Sequence, residues 1–298
     1  MVRQYKIHTN LDGTDDKVWD VTNGKVRFYQ PSNLGLQSTN NIWQSNGIGV
    51  MGTRSINQPQ IEFKLETFGE SLEENYQLMK DFVNDILSKK FVTLEYQTEI
   101  FQVYADLALA DVTKTEGYGK NGTFSEKITF DIITKWYTYE NLTFDMIKNG
   151  KVIAGKSKIY GGTAPGSYKY VKGVSYTYYG ETNIERLSRW DIKDEIFSFM
   201  GILYPQLPKT PTGVRFLDDI GNEYTAIVFK TEELQDYILI NTDVNDETYQ
   251  GWKGTTALNL FPVMDFERYR TRIIEKGQME LINLSKAEFK VKRKADFV

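Results

Sequence analysis

At 298 residues the chain exceeds the usual single-domain size, so length predicts two domains, and 40% hydrophobic with 26% charged residues describes a globular protein with material for real cores. No apolar run reaches membrane-spanning length, and the start Met-Val-Arg-Gln-Tyr-Lys lacks the apolar stretch of a signal peptide; a chain made in a cytoplasm, which leaves it only inside a larger assembly, is expected. A net charge of −4 argues against a nucleic-acid-binding surface, the lack of Cys removes disulfides and thiolate chemistry, and a single His removes His-rich metal sites and makes any Ser-His-Asp triad depend on His8, which reads as an exposed or hydrogen-bonded residue of a first strand.

Residues 1 to 30 give short alternating segments, Val2 to Ile7, Val18 to Val21 and Val26 to Tyr29, broken by the turn clusters Asn10 to Gly13 and Thr22 to Gly24. From Pro31 to Gln60 no period is sustained, and Leu34, Leu36, Ile42, Trp43, Ile48, Val50 and Met51 are dispersed among Gly, Asn and Ser. An irregular segment with this much apolar surface predicts a packed arm or subunit contact; the alternative is a loop folded over its own domain.

Ile61, Phe63 and Leu65 then alternate as a half-buried strand. Ser71 and Glu74 form a capping box, and Leu72, Tyr76, Met79, Val83 and Ile86, widened by Phe82 and Leu87, predict one amphipathic helix from Ser71 to Lys90 with this whole stripe buried. The period returns to 2 in Val92, Leu94 and Tyr96, again in Phe101, Val103, Ala105, Leu107 and Leu109, and again in Phe124, Ile128, Phe130 and Ile132. One helix on one face of a mainly antiparallel sheet, an α+β domain over 1–137, is the expectation.

After Lys135-Trp136-Tyr137 the texture changes to many Tyr and Gly, with strand-like runs at Ser167 to Tyr179, Asp194 to Leu203, Glu223 to Lys230, Asp236 to Asn241 and Arg268 to Ile274. These predict an all-β sandwich over 138–280, so the chain as a whole is mainly β. The last segment sets Phe289 and Val291 against Lys290, Lys292 and Lys294. It reads as a strand by which 281–298 returns to the first domain, its lysines blunting a sheet edge, with a solvated tail as the alternative.

Three motifs resemble chemistry. Gly150 to Ser157 satisfies the phosphate-loop pattern through Gly155, Lys156 and Ser157, but Val-Ile-Ala is strand-forming and Gly161-Gly162-Thr-Ala-Pro165 cannot continue as a helix, so a hairpin is expected in place of a nucleotide site. Gly117, Gly119 and Gly122 match a dinucleotide fingerprint but precede an alternating strand. Asn241, Asp243, Asn245 and Asp246 crowd calcium-type oxygens without the Gly and Glu that an EF-hand loop requires, and read as an Asx turn. Tyr160, Tyr168, Tyr170, Tyr176, Tyr178 and Tyr179 read first as cross-strand pairs, second as an interface and third as sugar-stacking rings. No catalytic, cofactor or metal residue is assigned.

Pro31-Ser-Asn-Leu-Gly35, the strand Ile61 to Phe68, the helix with Tyr76, Phe82 and Ile86, the strand Val92 to Tyr96 and Lys135-Trp136-Tyr137 together resemble the distal tail proteins of siphophages, most nearly those of lactococcal phages, over essentially the whole chain. The resemblance implies a baseplate hub of the virion: an N-terminal domain closing into a homohexameric ring, with Pro31 to Gln60 as inter-subunit belt, and a galectin-like C-terminal domain with an arm extension. The implied partners are the major tail protein or tail terminus, the tail-associated lysin or tip protein, and the receptor-binding protein, with phage DNA passing through without specific binding and no membrane involved. A lectin and a phosphate-loop NTPase are the rival readings.

Overall fold

The computed structural model describes residues 3–35, 38–56, 60–114, 122–144, 147–148, 151–152, 184–185 and 189–295. The chain divides into two compact units, Met1–Thr138 with Ala295–Val298, and Tyr139–Lys294.

The first unit runs β1 (Gln4–His8), β2 (Val18–Asp20), β3 (Val26–Ser32), β4 (Ser38–Ser45), β5 (Ile48–Ile56), β6 (Gln60–Thr67), α1 (Leu72–Leu87), β7 (Val92–Gln97), β8 (Gln102–Thr113), β9 (Ser125–Ile132) and the start of β10 (Tyr137–Phe144). Its main sheet has the order β2-β1-β7-β8-β9-β6-β3, and each of these neighbouring pairs is antiparallel. The long β8 pairs with β7 through Gln102 to Leu107 and with β9 through Leu107 to Thr113, with a register shift between Leu109 and Asp111. The sheet therefore turns at β8, and Tyr5 of β1 meets Phe63 of β6 edge-on at 5.5 Å between ring centroids. The apolar alternation read from sequence faces this core: Ile61, Phe63, Leu65, Leu94, Leu107, Ile128 and Phe130 are all buried.

Helix α1 begins as its sequence dictates, with the Glu74 backbone N–H donating to Ser71 Oγ (3.2 Å), although the Glu74 carboxylate returns to the Glu70 N–H (2.7 Å), one residue before the expected partner. It docks through Phe82, which meets Trp19 at 5.2 Å and Phe28 at 5.8 Å, while the Trp19 indole N–H donates to Asp85 (3.0 Å). The stripe is narrower than its spacing predicts. Phe82 and Ile86 are buried, whereas Leu72, Tyr76 and Leu87 are exposed.

The single His is a structural cross-link. His8 presents Nδ1 to Asp16 Oδ2 (2.7 Å) and Nε2 to Glu95 Oε2 (2.8 Å), and Lys6 Nζ holds the other Glu95 oxygen at 3.1 Å. Burial pushes the Glu95 carboxyl up, but the hydrogen bonds and charges of His8 and Lys6 more than offset it and hold its pKa below the usual range. A depressed carboxylate stabilises the fold above its unfolded-state pKa, and that contribution is lost as pH falls through the folded value. The denaturation midpoint of the first unit is expected to drop as pH is lowered below about 4.3, with a shallower drop in Glu95→Gln; parallel pH profiles in urea titrations would remove Glu95 from the account.

The second unit is a β-sandwich. One sheet contains β10, β22 (Leu284–Lys294), β15 (Ile196–Pro205), β18 (Tyr237–Asn241), β19 (Thr248–Lys253) and β20 (Thr256–Asn259) in that order. The other contains β14 (Arg189–Ile192), β21 (Gly277–Ile282), β16 (Thr212–Leu217) and β17 (Glu223–Phe229). Phe199, Ile238, Ile240 and Phe289 of the first sheet pack with Val214, Phe216, Ile227 and Met279 of the second, and Phe199 meets Phe216 at 5.8 Å. The antiparallel pairs β11 (Ile147–Lys148) with β12 (Lys151–Val152), and β11 with β13 (Ile184–Glu185), lie between β10 and β14 in the chain.

Two expectations are corrected here. Arg268 to Ile274 is irregular apart from one bridge, Ile196 with Ile274, while β16, β19 and β21 carry the ladder that was not read. The terminal strand does not return to the first unit: Phe289 and Val291 belong to the sandwich core, so β22 lies between β10 and β15, and only from Ala295, whose N–H donates to Trp136 O (2.8 Å), does the chain group with the first unit. Its lysines blunt no edge. Lys292 is buried, with Nζ 2.8 Å from Asp243 Oδ2, and Lys290 Nζ lies 3.9 Å from the Tyr139 ring centroid.

Candidate assembly interface

The segment between β3 and β6 carries regular structure: β4 and β5 form a β-hairpin whose strands pair with each other and, among the described residues, belong to no other sheet. Positive φ at Gln30 (46°) falls in the register shift between Tyr29 and Ser32, and positive φ at Asn33 (62°) follows the last β3–β6 pair, Ser32 with Glu62, where the chain leaves the ladder. The hairpin turns at Asn46 (φ 49°) and Gly47 (φ 78°), the pair of left-handed residues that a two-residue type I′ turn needs, and Asn-Gly is the sequence that supplies it.

Register then sorts the apolar side chains onto both faces. Trp43 pairs with Val50 and Ser45 with Ile48, which puts Trp43, Ile48 and Val50 on one face; Ile42 pairs with Met51 on the other. All five are exposed, Trp43 by 68% and Ile48 by 71%. Arg54 is the only charged residue from Ser38 to Ile56; its Nε donates to Asn40 Oδ1 (2.9 Å), and among the described residues it pairs with no carboxylate. A two-stranded hairpin is marginally stable in water by itself, and one with apolar residues on both faces gains most from being covered on both.

Of the seven residues read as an inter-subunit belt, Ile42, Trp43, Ile48, Val50 and Met51 thus sit together on the hairpin. Leu34 does not. It is buried in the core of its own unit with Phe28 and Phe63, and Leu36 lies outside the described residues.

The motifs that resembled chemistry fall in structural places. Lys151 and Val152 form the return strand of an antiparallel hairpin with Ile147 and Lys148, not the parallel strand that a phosphate loop follows; Gly155, Lys156 and Ser157 lie outside the described residues. Gly122 packs against Leu72, with Gly117 and Gly119 outside the described residues, as are the six clustered tyrosines from Tyr160 to Tyr179. The Asx cluster is a turn between β18 and β19: Asn241 Oδ1 accepts from the Asp243 N–H (3.1 Å), Asp243 Oδ1 accepts from the Asn245 N–H (3.0 Å), and the Asn241 amide donates to Asp246 (3.2 Å).

Over residues 4–133 the sequence matches the family described as distal tail protein, N-terminal domain, and over 135–298 the family described as Dit, C-terminal domain. It is 95% identical over 298 residues to the distal tail protein of Lactococcus phage p2 and 93% identical to that of Lactococcus phage SK1, covering 100% of both chains in each case. Among solved structures, a chain of the phage p2 baseplate in its activated conformation with Ca matches at 95% identity and TM-score 0.80, covering 100% of each chain. The SPP1 Dit protein shares 10% identity and, over 98% of this chain and 99% of that one, a TM-score of 0.53, which is a likeness of fold. With both halves matched and full-length relatives at this identity, the chain belongs to the distal tail protein family.

Proposed function

We propose that this protein is a structural subunit of a siphophage tail-tip baseplate, working by contact and not by reaction. The first unit closes into a hexameric ring, the hairpin β4–β5 of each copy lying on the next as a belt. The sandwich, with the extension that follows β10, anchors the receptor-binding protein; the ring joins the major tail protein to the tip protein and lets DNA through without gripping it. A ring closed by rotation uses a head-to-tail contact, which needs an element that projects from one copy and a different surface that receives it on the next.

The observation that carries this reading is the hairpin, with five exposed apolar side chains on two faces. The solved p2 baseplate, which contains a chain 95% identical to this one, supports the same assembly context, and a full-length match to distal tail proteins favours a hub over a free-standing lectin. Light scattering on the purified chain is expected to give six times the 34.5 kDa subunit mass; a monomer at working concentrations would overturn the ring. The phosphate-loop match has no part in this function, so Lys156→Ala is expected to leave assembly and infectivity unchanged, and ATP binding that disappears in that variant would restore a nucleotide role.

A further inference from the structure

We infer that Asn46 is a covalent modification site of this chain, where the side-chain amide is lost by attack of the following backbone nitrogen. The reaction needs only water. As the Gly47 nitrogen loses its proton it forms a bond to Asn46 Cγ, the Cγ–Nδ2 bond breaks, ammonia leaves and a cyclic imide remains. Water then opens the imide at either carbonyl, which gives aspartate, or isoaspartate with the main chain routed through the side-chain carbon.

Asn-Gly is the pair in which this attack is least crowded, because glycine has no Cβ. Two such steps lie wholly among the described residues, Asn23-Gly24 and Asn46-Gly47, and the fold treats them oppositely. The Gly24 N–H donates to Asp20 O (2.9 Å), the Asn23 N–H donates to Asp20 Oδ1 (2.8 Å), and the flanking Val21 and Val26 are buried. That nitrogen is engaged, and its turn is held on a core. At the hairpin tip neither the Gly47 N–H nor the Asn46 amide has a partner among the described residues, and a Cβ built at Gly47 would meet nothing within 4 Å. Every residue from Ser38 to Ser55 is exposed. The left-handed turn must relax for the side chain to reach the nitrogen, and in a lone two-stranded hairpin nothing packed on it resists.

Resting on the reading of β4–β5 as a subunit contact, the modification also marks a copy that no longer assembles. Isoaspartate puts an extra carbon into the main chain between Ser45 and Ile48, the pair that closes the hairpin, so the register that sets Trp43 against Val50 and Ile42 against Met51 is lost. Either product places a carboxylate at the tip of a hairpin whose one charged residue is Arg54.

The test is to hold the purified chain for days at physiological temperature and mildly alkaline pH and to map its peptides by mass spectrometry. Asn46 is expected to convert at least about tenfold faster than Asn23, because its turn opens more often, and faster still as pH is raised, because the attacking nitrogen must lose its proton. Asn46→Gly is expected to abolish the conversion and keep the hairpin, since Gly-Gly also supplies the two left-handed positions. An Asn46 that stays intact, or converts no faster than Asn23, overturns the site. Size exclusion of the aged chain then reads the consequence: isoaspartate is expected to concentrate in the unassembled fraction, whereas an equal share in rings and monomers overturns the effect on assembly and leaves the modification standing. Conversion in a parent chain that forms no rings overturns the ring reading alone.

Discussion

Trp43→Asp with Ile48→Asp is expected to convert the ring into folded monomers. Both side chains are exposed in the single subunit, so neither substitution removes a contact from the core, and circular dichroism and the melting curve should match the parent. At a subunit contact the effect is of another size. A buried aromatic anchor is worth roughly 2–4 kcal/mol per interface, and a carboxylate placed in the same dry contact adds an unpaired charge. At 1.4 kcal/mol per factor of ten, the two changes weaken each contact by about three orders of magnitude or more. Leu34→Asp is the internal control: its side chain is 6% exposed in the core, so it should unfold the first unit instead of separating intact subunits. Rings of unchanged mass in the double variant would remove the hairpin from the interface.

The contrast between Leu34 and Trp43 shows what the sequence could express. Strands β6, β7, β8 and β9 were legible because each has one wet face and one face in the core, which writes itself as a period of 2. The hairpin lies on no core face of its own unit, so neither of its faces is marked, and Ile42 beside Trp43 reads as noise. Its one local signal, Asn46-Gly47, states the turn without stating the strands, and it was the signal to use. The same logic governs α1. Spacing reports which residues share a face, and Leu72 shares one with Phe82; it does not report where the neighbouring sheet stops, and Leu72 lies beyond it, exposed. In the sandwich, β16 and β21 were missed because both sides of their pairing are interior, as the runs Thr212 to Val214 and Met279 to Leu281 show, and continuous burial leaves no alternation to read.

Lys292 was misread for a related reason, and its replacement is expected to have the largest effect on the second unit. Period 2 places it opposite Phe289 and Val291, on the face that water normally takes, but the turn after β18 covers that face. Thr242 continues the ladder onto Phe199, its N–H donating to Phe199 O at 3.0 Å; Ser198 pairs with Lys292; and Asp243, next in the chain, meets the ammonium at 2.8 Å with side-chain exposures of 5% and 7%. Truncating one partner of a buried pair leaves the other charge uncompensated, so Lys292→Ala should cost about 3–5 kcal/mol and lower the melting temperature of this unit by roughly 10 °C or more. Lys292→Met with Asp243→Asn should recover most of that loss, because the methionine fills the channel of the lysine stem and the asparagine oxygen still accepts the Asn245 N–H. A drop of only 1–2 °C in Lys292→Ala would mean that the ammonium is solvated in the folded protein. The pair bears on DNA passage as well: an ammonium held against Asp243 has no free charge to offer a polyanion, so Lys292→Met with Asp243→Asn should leave the binding of double-stranded DNA at low ionic strength where it was, and a salt-sensitive affinity lost in that variant would show that Lys292 reaches the polyanion.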